Sequence, residues 1–275
     1  METQQIIQSL SYVTWVLLAA LALGSFVLIW VLAQTTDATS GFLGFSAILA
    51  AVIGLGWLMV EWGLPAPTEL SIERGAELDE PRRALIALFS LTALASGFRL
   101  RRGGRATWLG VVSIAAGVGA LFLGAWDWGA GEPISVSIFI QLLSLTAVTG
   151  GSMAAVVLAH WYLVTPRISE RPLVLTTQFL MVALFIQLLL FGVWMAAGVP
   201  DMEPFEALTG ENMIFVWLRL VVGIIFPLVL TAMAYRTALT RSMESATGLL
   251  YIEFALVMAS TIVAAGLLFG EGLLV

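Results

Sequence analysis

Residues 79–102 read D-E-P-R-R-A-L-I-A-L-F-S-L-T-A-L-A-S-G-F-R-L-R-R. The fold turns on whether this segment crosses a lipid bilayer. Its apolar middle, Ala84 to Phe98, is 15 residues long, whereas a helix needs about 20 to cross a hydrocarbon core of about 30 Å. Arg82, Arg83 and Arg99 flank it, and their aliphatic stems let the guanidiniums reach the interface from inside. Pro81 suits the first turn of a helix opened by Asp79 and Glu80, which lengthens the segment enough to span. The alternative is a re-entrant stretch over 84–98 that returns to the side it left.

Seven other stretches meet the length criterion directly: Tyr12 to Gln34, Phe42 to Leu64, Ala106 to Gly129, Ile134 to Val164, Leu173 to Gly198, Met213 to Leu239 and Leu249 to Gly270. The composition agrees: 60% of residues are apolar and 11% charged, against about 45–50% and about 25% in soluble domains. The expected fold is therefore an all-α, polytopic integral membrane bundle forming one transmembrane domain over 1–275. Eight spans are expected, with seven as the alternative. Met1 to Ser9 is polar and no small-residue cleavage site follows, so the first apolar run reads as a retained span.

Loop arginines set the orientation. With eight spans, Arg99, Arg101, Arg102, Arg105, Arg167, Arg171, Arg236 and Arg241 collect on one side, and Arg74, Arg82 and Arg83 on the other. The first side is expected to be cytoplasmic in a bacterial-type inner membrane, with both termini outside. The charge rule alone favours seven spans. A weak internal repeat favours eight. At an offset of 66 residues, E-W-G-L-P-A-P (Glu61 to Pro67) matches D-W-G-A-G-E-P (Asp127 to Pro133), extending a hairpin repeat over 42–67 and 108–133. A duplicated hairpin requires the segment between them to cross.

Much chemistry is excluded. There is no cysteine, so disulfides, thiol catalysis and iron–sulfur ligation are absent. All 12 basic residues are arginine, which removes a retinal Schiff base. A single histidine cannot supply bis-histidine haem ligation or a multi-ligand metal site. No phosphate-binding G-x-x-x-x-G-K-[ST] motif occurs. Ser152 and His160 lie about 12 Å apart along one helix, too far for a nucleophile–base pair. No resident metal, no nucleic-acid partner and no catalytic activity of its own are expected.

Two polar constellations remain. The first gathers at the helix ends around the lone histidine: His160 and Tyr162, Gln178, Tyr235 and Arg236, and Tyr251 and Glu253. Glu253 lies a turn inside its helix, with Arg236 as the expected counter-charge. This set reads either as an aromatic belt with topology-setting arginines, or as a site for a quinone or a lipid headgroup.

The second constellation lies at the opposite ends. Glu61, Asp127 and Glu132 stand beside Trp62, Trp126 and Trp128, and Asp201, Glu203, Glu206 and Glu211 precede the seventh span. An acidic outer face suits a basic soluble partner or a cation. Arg219, two turns into its span, needs a partner, expected to be Glu211, Asp127 or a phosphate.

Gly54 with Gly56, Gly117 with Gly119 and Gly150 with Gly151 are expected at close helix contacts. Gln141, Gln178 and Gln187 are expected to bond across helices. Pro227 is expected to kink span seven. The span centres otherwise look nearly bare of polar groups.

The function favoured is an integral subunit of a multi-protein bioenergetic complex, respiratory or photosynthetic, packed against lipids and other membrane subunits. Alternatives are a small-molecule transporter using the Pro227 helix, or a lipid- or quinone-acting membrane enzyme.

Overall fold

The computed structural model describes residues 3–68, 70–72, 74–165, 168–198 and 203–275, with side chains for all of these except 3–7 and 76. Arg167 and Asp201, both singled out above, lie outside the described residues. Among the described residues there are no strands, and eight helices are long and apolar enough to cross a membrane. They are α1 (Gln8–Thr35), α2 (Ser40–Trp62), α3 (Asp79–Arg101), α4 (Thr107–Trp128), α5 (Ile134–Val164), α6 (Arg171–Ala197), α7 (Met213–Leu239) and α8 (Met243–Glu271).

The decisive segment is an uninterrupted helix of 23 residues, not a short re-entrant stretch. Asp79 and Glu80 occupy its first turn, and Arg99 and Arg101 its last, the polarity that the helix dipole favours. Charged turns at both ends supply the length that the apolar middle lacks. Gly103, at φ 75°, stops the helix: its N–H donates to the Leu100 carbonyl at 2.9 Å, and that of Gly104 to the Arg99 carbonyl at 3.0 Å. Only a residue tolerant of the left-handed region closes a helix this way.

Successive helices run in opposite directions, so the bundle has two ends. At the arginine-rich end the α1–α2 and α5–α6 connections meet, where Ser169 donates to Asp37 at 2.7 Å. At the acidic end the α2–α3 connection folds over α1 and α8. There Tyr12 donates to the Pro65 carbonyl at 2.8 Å, and the Ser71 N–H donates to the Phe269 carbonyl at 3.1 Å.

The most enclosed helices are α1 and α5. They cross where α1 adopts a π-helical turn, Ala20–Gly24. A Cβ on Gly150 would lie 2.4 Å from both the Ala20 carbonyl oxygen and the Gly24 Cα, so the backbones touch and only hydrogen fits. Gly54 meets the Ser90 and Phe89 side chains of α3, and Gly117 meets Leu23 of α1. Close approach through small residues is how helices associate where apolar surroundings remove the hydrophobic drive. By contrast α6 and α7 turn Phe185, Leu189, Val193, Phe226, Val229 and Met233 outward.

Two expectations about α5 to α7 need correction. Gln178 reaches Tyr235 at 3.4 Å, but the buried amides of Gln141 and Gln187 have no protein partner among the described residues. The irregularity in α7 also begins before Pro227. Residues Leu218–Ile225 are π-helical, and the α-helix resumes at Phe226 with Pro227 in its first turn. Proline lacks an N–H, so it fits where that donor would be unpaired.

Candidate functional site

The acidic end holds a buried ion cluster centred on Arg82, a residue that sequence reasoning treated only as a flank. Arg82 Nε donates to Glu61 Oε1 at 2.9 Å, Nη1 to Asp127 Oδ2 at 2.9 Å and Nη2 to Asp79 Oδ1 at 2.7 Å. Arg82 and Glu61 are fully buried, and Asp127 is nearly so. The second oxygen of Glu61 accepts from Trp15 Nε1 at 2.5 Å, and that of Asp127 from the Gly75 N–H at 2.7 Å. Arg74 grips both oxygens of Asp79, at 3.1 and 2.8 Å, and also donates to the Leu64 carbonyl. Burial is the largest influence on Arg74 and works against its charge, yet Asp79 and Tyr12 together outweigh it and hold the guanidinium above its usual value.

Three helices thus meet at one guanidinium, and α1 and the α2–α3 connection join them through the carboxylates. The two acids sit at the ends of α2 and α4, at positions related by the 66-residue offset, and Arg82 projects from the first turns of α3 between them. An aromatic wall closes the inner side: Trp15 lies 5.1 Å from Trp57 and 4.8 Å from Trp128, and Trp128 lies 5.2 Å from Phe269. A buried carboxylate is tolerable only when paired and hydrogen-bonded, and each one here is. The cluster is built as a clamp. Glu61 and Asp127 are consequently not free to receive a soluble partner or a cation.

Arg219 does not join them. Its Nη1 donates to Ser260 Oγ of α8, its Nε approaches the Val275 carbonyl at 3.5 Å, and Nη2 has no partner among the described residues. The expected partners Glu211 and Asp127 are otherwise placed: Glu211 is exposed in the loop before α7, and Asp127 is taken by Arg82. Glu132, Glu203 and Glu206 are exposed. No cluster of three or more His, Asp or Glu residues that could hold a metal occurs among the described residues.

At the arginine-rich end the predicted set breaks into two pairs, with Tyr162, Arg236 and Glu253 apart from both. Exposed His160 and Tyr251 face each other across α5 and α8, with Nδ1 and the phenol oxygen 3.3 Å apart. Exposed Gln178 and half-buried Tyr235 form a second pair on α6 and α7. Tyr162 is buried and spends its hydroxyl on the Ser169 carbonyl at 2.5 Å. It braces the α5–α6 connection.

Glu253 is buried on the inner face of α8 and accepts from Ser152 Oγ at 2.6 Å, leaving Oε2 unpartnered among the described residues. The expected pairing with Arg236 does not form, because Arg236 is exposed on α7. Neither does Glu253 share a crevice with His160. Further along α5 and α8, Thr149 and Thr261 bond at 2.6 Å. The bundle interior therefore carries more polar structure than its near-bare spans led one to expect.

No protein-family model matches this chain, and neither curated proteins nor solved structures gave a match.

Proposed function

We propose that this chain is a polytopic integral membrane protein, eight times across the bilayer, acting as a subunit of a membrane assembly. We further propose that it offers a lateral site for a quinone head group at His160 and Tyr251. The membrane reading is supported by the distribution of polarity: large apolar side chains face outward along the helices while Glu253, Arg219, Thr149 and Thr261 face inward. Only a solvent of lipid favours that arrangement. The arginine-rich end is then cytoplasmic.

One observation carries the site: the exposed His160–Tyr251 pair, 3.3 Å apart, at the tips of two packed helices. With Nδ1 toward the phenol, Nε2 is left to bond a carbonyl oxygen. A quinone dissolved in lipid can reach such a pair sideways, without a channel. At the same end of the bundle, Gln178 and Tyr235 offer further donors. The subunit role is supported by the broad apolar flank of α6 and α7, large enough for another membrane chain.

A photoreactive quinone supplied to the protein in lipid nanodiscs tests the site. Labelling is expected on α5 and α8 near His160, and to fall at least about tenfold in H160A, the loss of one hydrogen bond to a charged or polar head. Equal labelling in H160A and wild type rejects the quinone site. Labelling displaced by phospholipid rather than by unlabelled quinone assigns the pair to a headgroup instead. Purification in mild detergent tests the subunit role, which predicts other chains in fixed stoichiometry; a solitary chain rejects it.

A further inference from the structure

The turn between α3 and α4 belongs to neither cluster. It sets four arginines, Arg99, Arg101, Arg102 and Arg105, within seven residues, all exposed. None of them forms an ion pair among the described residues. The arginines that do are Arg74, Arg82 and Arg83 at the other end and Arg241 in the α7–α8 connection. Like charges this close repel one another, so the arrangement calls for counter-charge from outside the chain.

The turn is also shaped. The Gly103 and Gly104 bonds that end α3 fix the path of the backbone. Arg99 and Arg105 are thereby brought to one open groove of about 390 Å³, lined also by Thr107 and Trp108. Trp108 is 82% exposed, an indole placement typical of the membrane–water interface. Deeper along α3 and α4 the outward side chains are apolar, among them Leu91, Phe98 and Val112.

From the groove inward, then, the surface runs from cationic to amphipathic to apolar. That order is the order of a phospholipid: phosphate, glycerol region, acyl chain. Guanidinium groups bind phosphate oxygens with two parallel N–H bonds. We propose that this groove binds the phosphate headgroup of an anionic phospholipid, held by Arg99 and Arg105 with Trp108 beside the glycerol region. It rests on the chain lying in a bilayer, and not on the His160 site.

Delipidated protein in mild detergent, examined by native mass spectrometry, provides the test. Phosphatidylglycerol and phosphatidylcholine with matched acyl chains are offered separately. The wild type is expected to retain phosphatidylglycerol preferentially. In R99Q/R105Q that preference should fall by about tenfold or more, since an arginine near an anionic headgroup contributes about fivefold in affinity. R105Q alone, whose side chain lies beyond both helices, should lose about fivefold and guards against a folding defect in the double variant. R171Q, at the same end on α6, should retain the preference.

Equal retention of both lipids by the wild type overturns the proposal. So does undiminished preference in R99Q/R105Q, or an equal loss in R171Q, which would mark a diffuse surface field. Displacement of the lipid by millimolar inorganic phosphate would reassign the groove to a soluble anion. A chain that stays dispersed without detergent would instead defeat the membrane reading itself, a separate result.

Discussion

Methionine at position 82 keeps most of the arginine's length and removes its charge. Glu61 and Asp127, each 2.9 Å from an Arg82 nitrogen, then stand in the interior without a cation, while Asp79 keeps Arg74. Removing one partner of a buried ion pair costs about 3–5 kcal/mol. Two carboxylates lose their partner here, but Trp15 and Gly75 still donate to them, so a loss of about 5 kcal/mol is expected. Against a total stability of about 5–15 kcal/mol, that removes between about a third and all of it. Reversible unfolding in mixed micelles, followed by tryptophan fluorescence, measures it directly. The triple variant E61Q/R82M/D127N separates charge from packing. With all three groups neutral it should recover most of the loss, as buried ion triads often tolerate neutral replacement. A loss under about 1 kcal/mol in R82M, the range of an exposed pair, would refute the clamp. A triple variant no better than R82M would show that shape, not uncompensated charge, is at stake.

At the α1–α5 crossing, Gly150→Ala must force two backbones apart, because its Cβ would meet three backbone atoms at 2.3–2.4 Å; a loss above about 3 kcal/mol is expected on the same unfolding assay. Gly248→Ala meets nothing within 4 Å and should be neutral or stabilise α8 by up to about 1 kcal/mol; equal behaviour of the two variants would refute the crossing. Thr149→Val leaves Thr261 without its 2.6 Å partner and should cost about 1–2 kcal/mol, whereas no change would mean the bond is not formed in solution. Cysteines placed singly at exposed Glu77 and Arg102 in this cysteine-free chain should react with an impermeant thiol reagent from opposite sides of a vesicle. Reaction from one side would restore the seven-span alternative.

The helices were legible because length and apolarity are local properties, and α3 was legible once its charged turns were counted as part of it. The convergence of Glu61 and Asp127 was half-visible in the 66-residue offset, which placed two acids at equivalent helix ends. Arg82 was not, since nothing in D-E-P-R-R distinguishes a buried guanidinium from the exposed one beside it; that difference arises only when α2 and α4 flank α3. The split of the histidine set had a signal that went unused. Two positions along a helix differ by about 200° of rotation, so Tyr251 and Glu253 cannot share a face, and one must point inward when the other points out. Ser152 as the partner of Glu253 required knowing which helices pack.

The contact of Gly24 with Gly150 also sets an order of assembly. These residues lie more than 120 positions apart in the chain, so α1 must wait, its narrow seam uncovered, while the next three helices are made. Glu61, Arg82 and Asp127 can lock as soon as α4 is complete. A nascent chain halted there would already hold its salt bridges yet present a bare groove along α1, and the arrival of α5 would be the closing event.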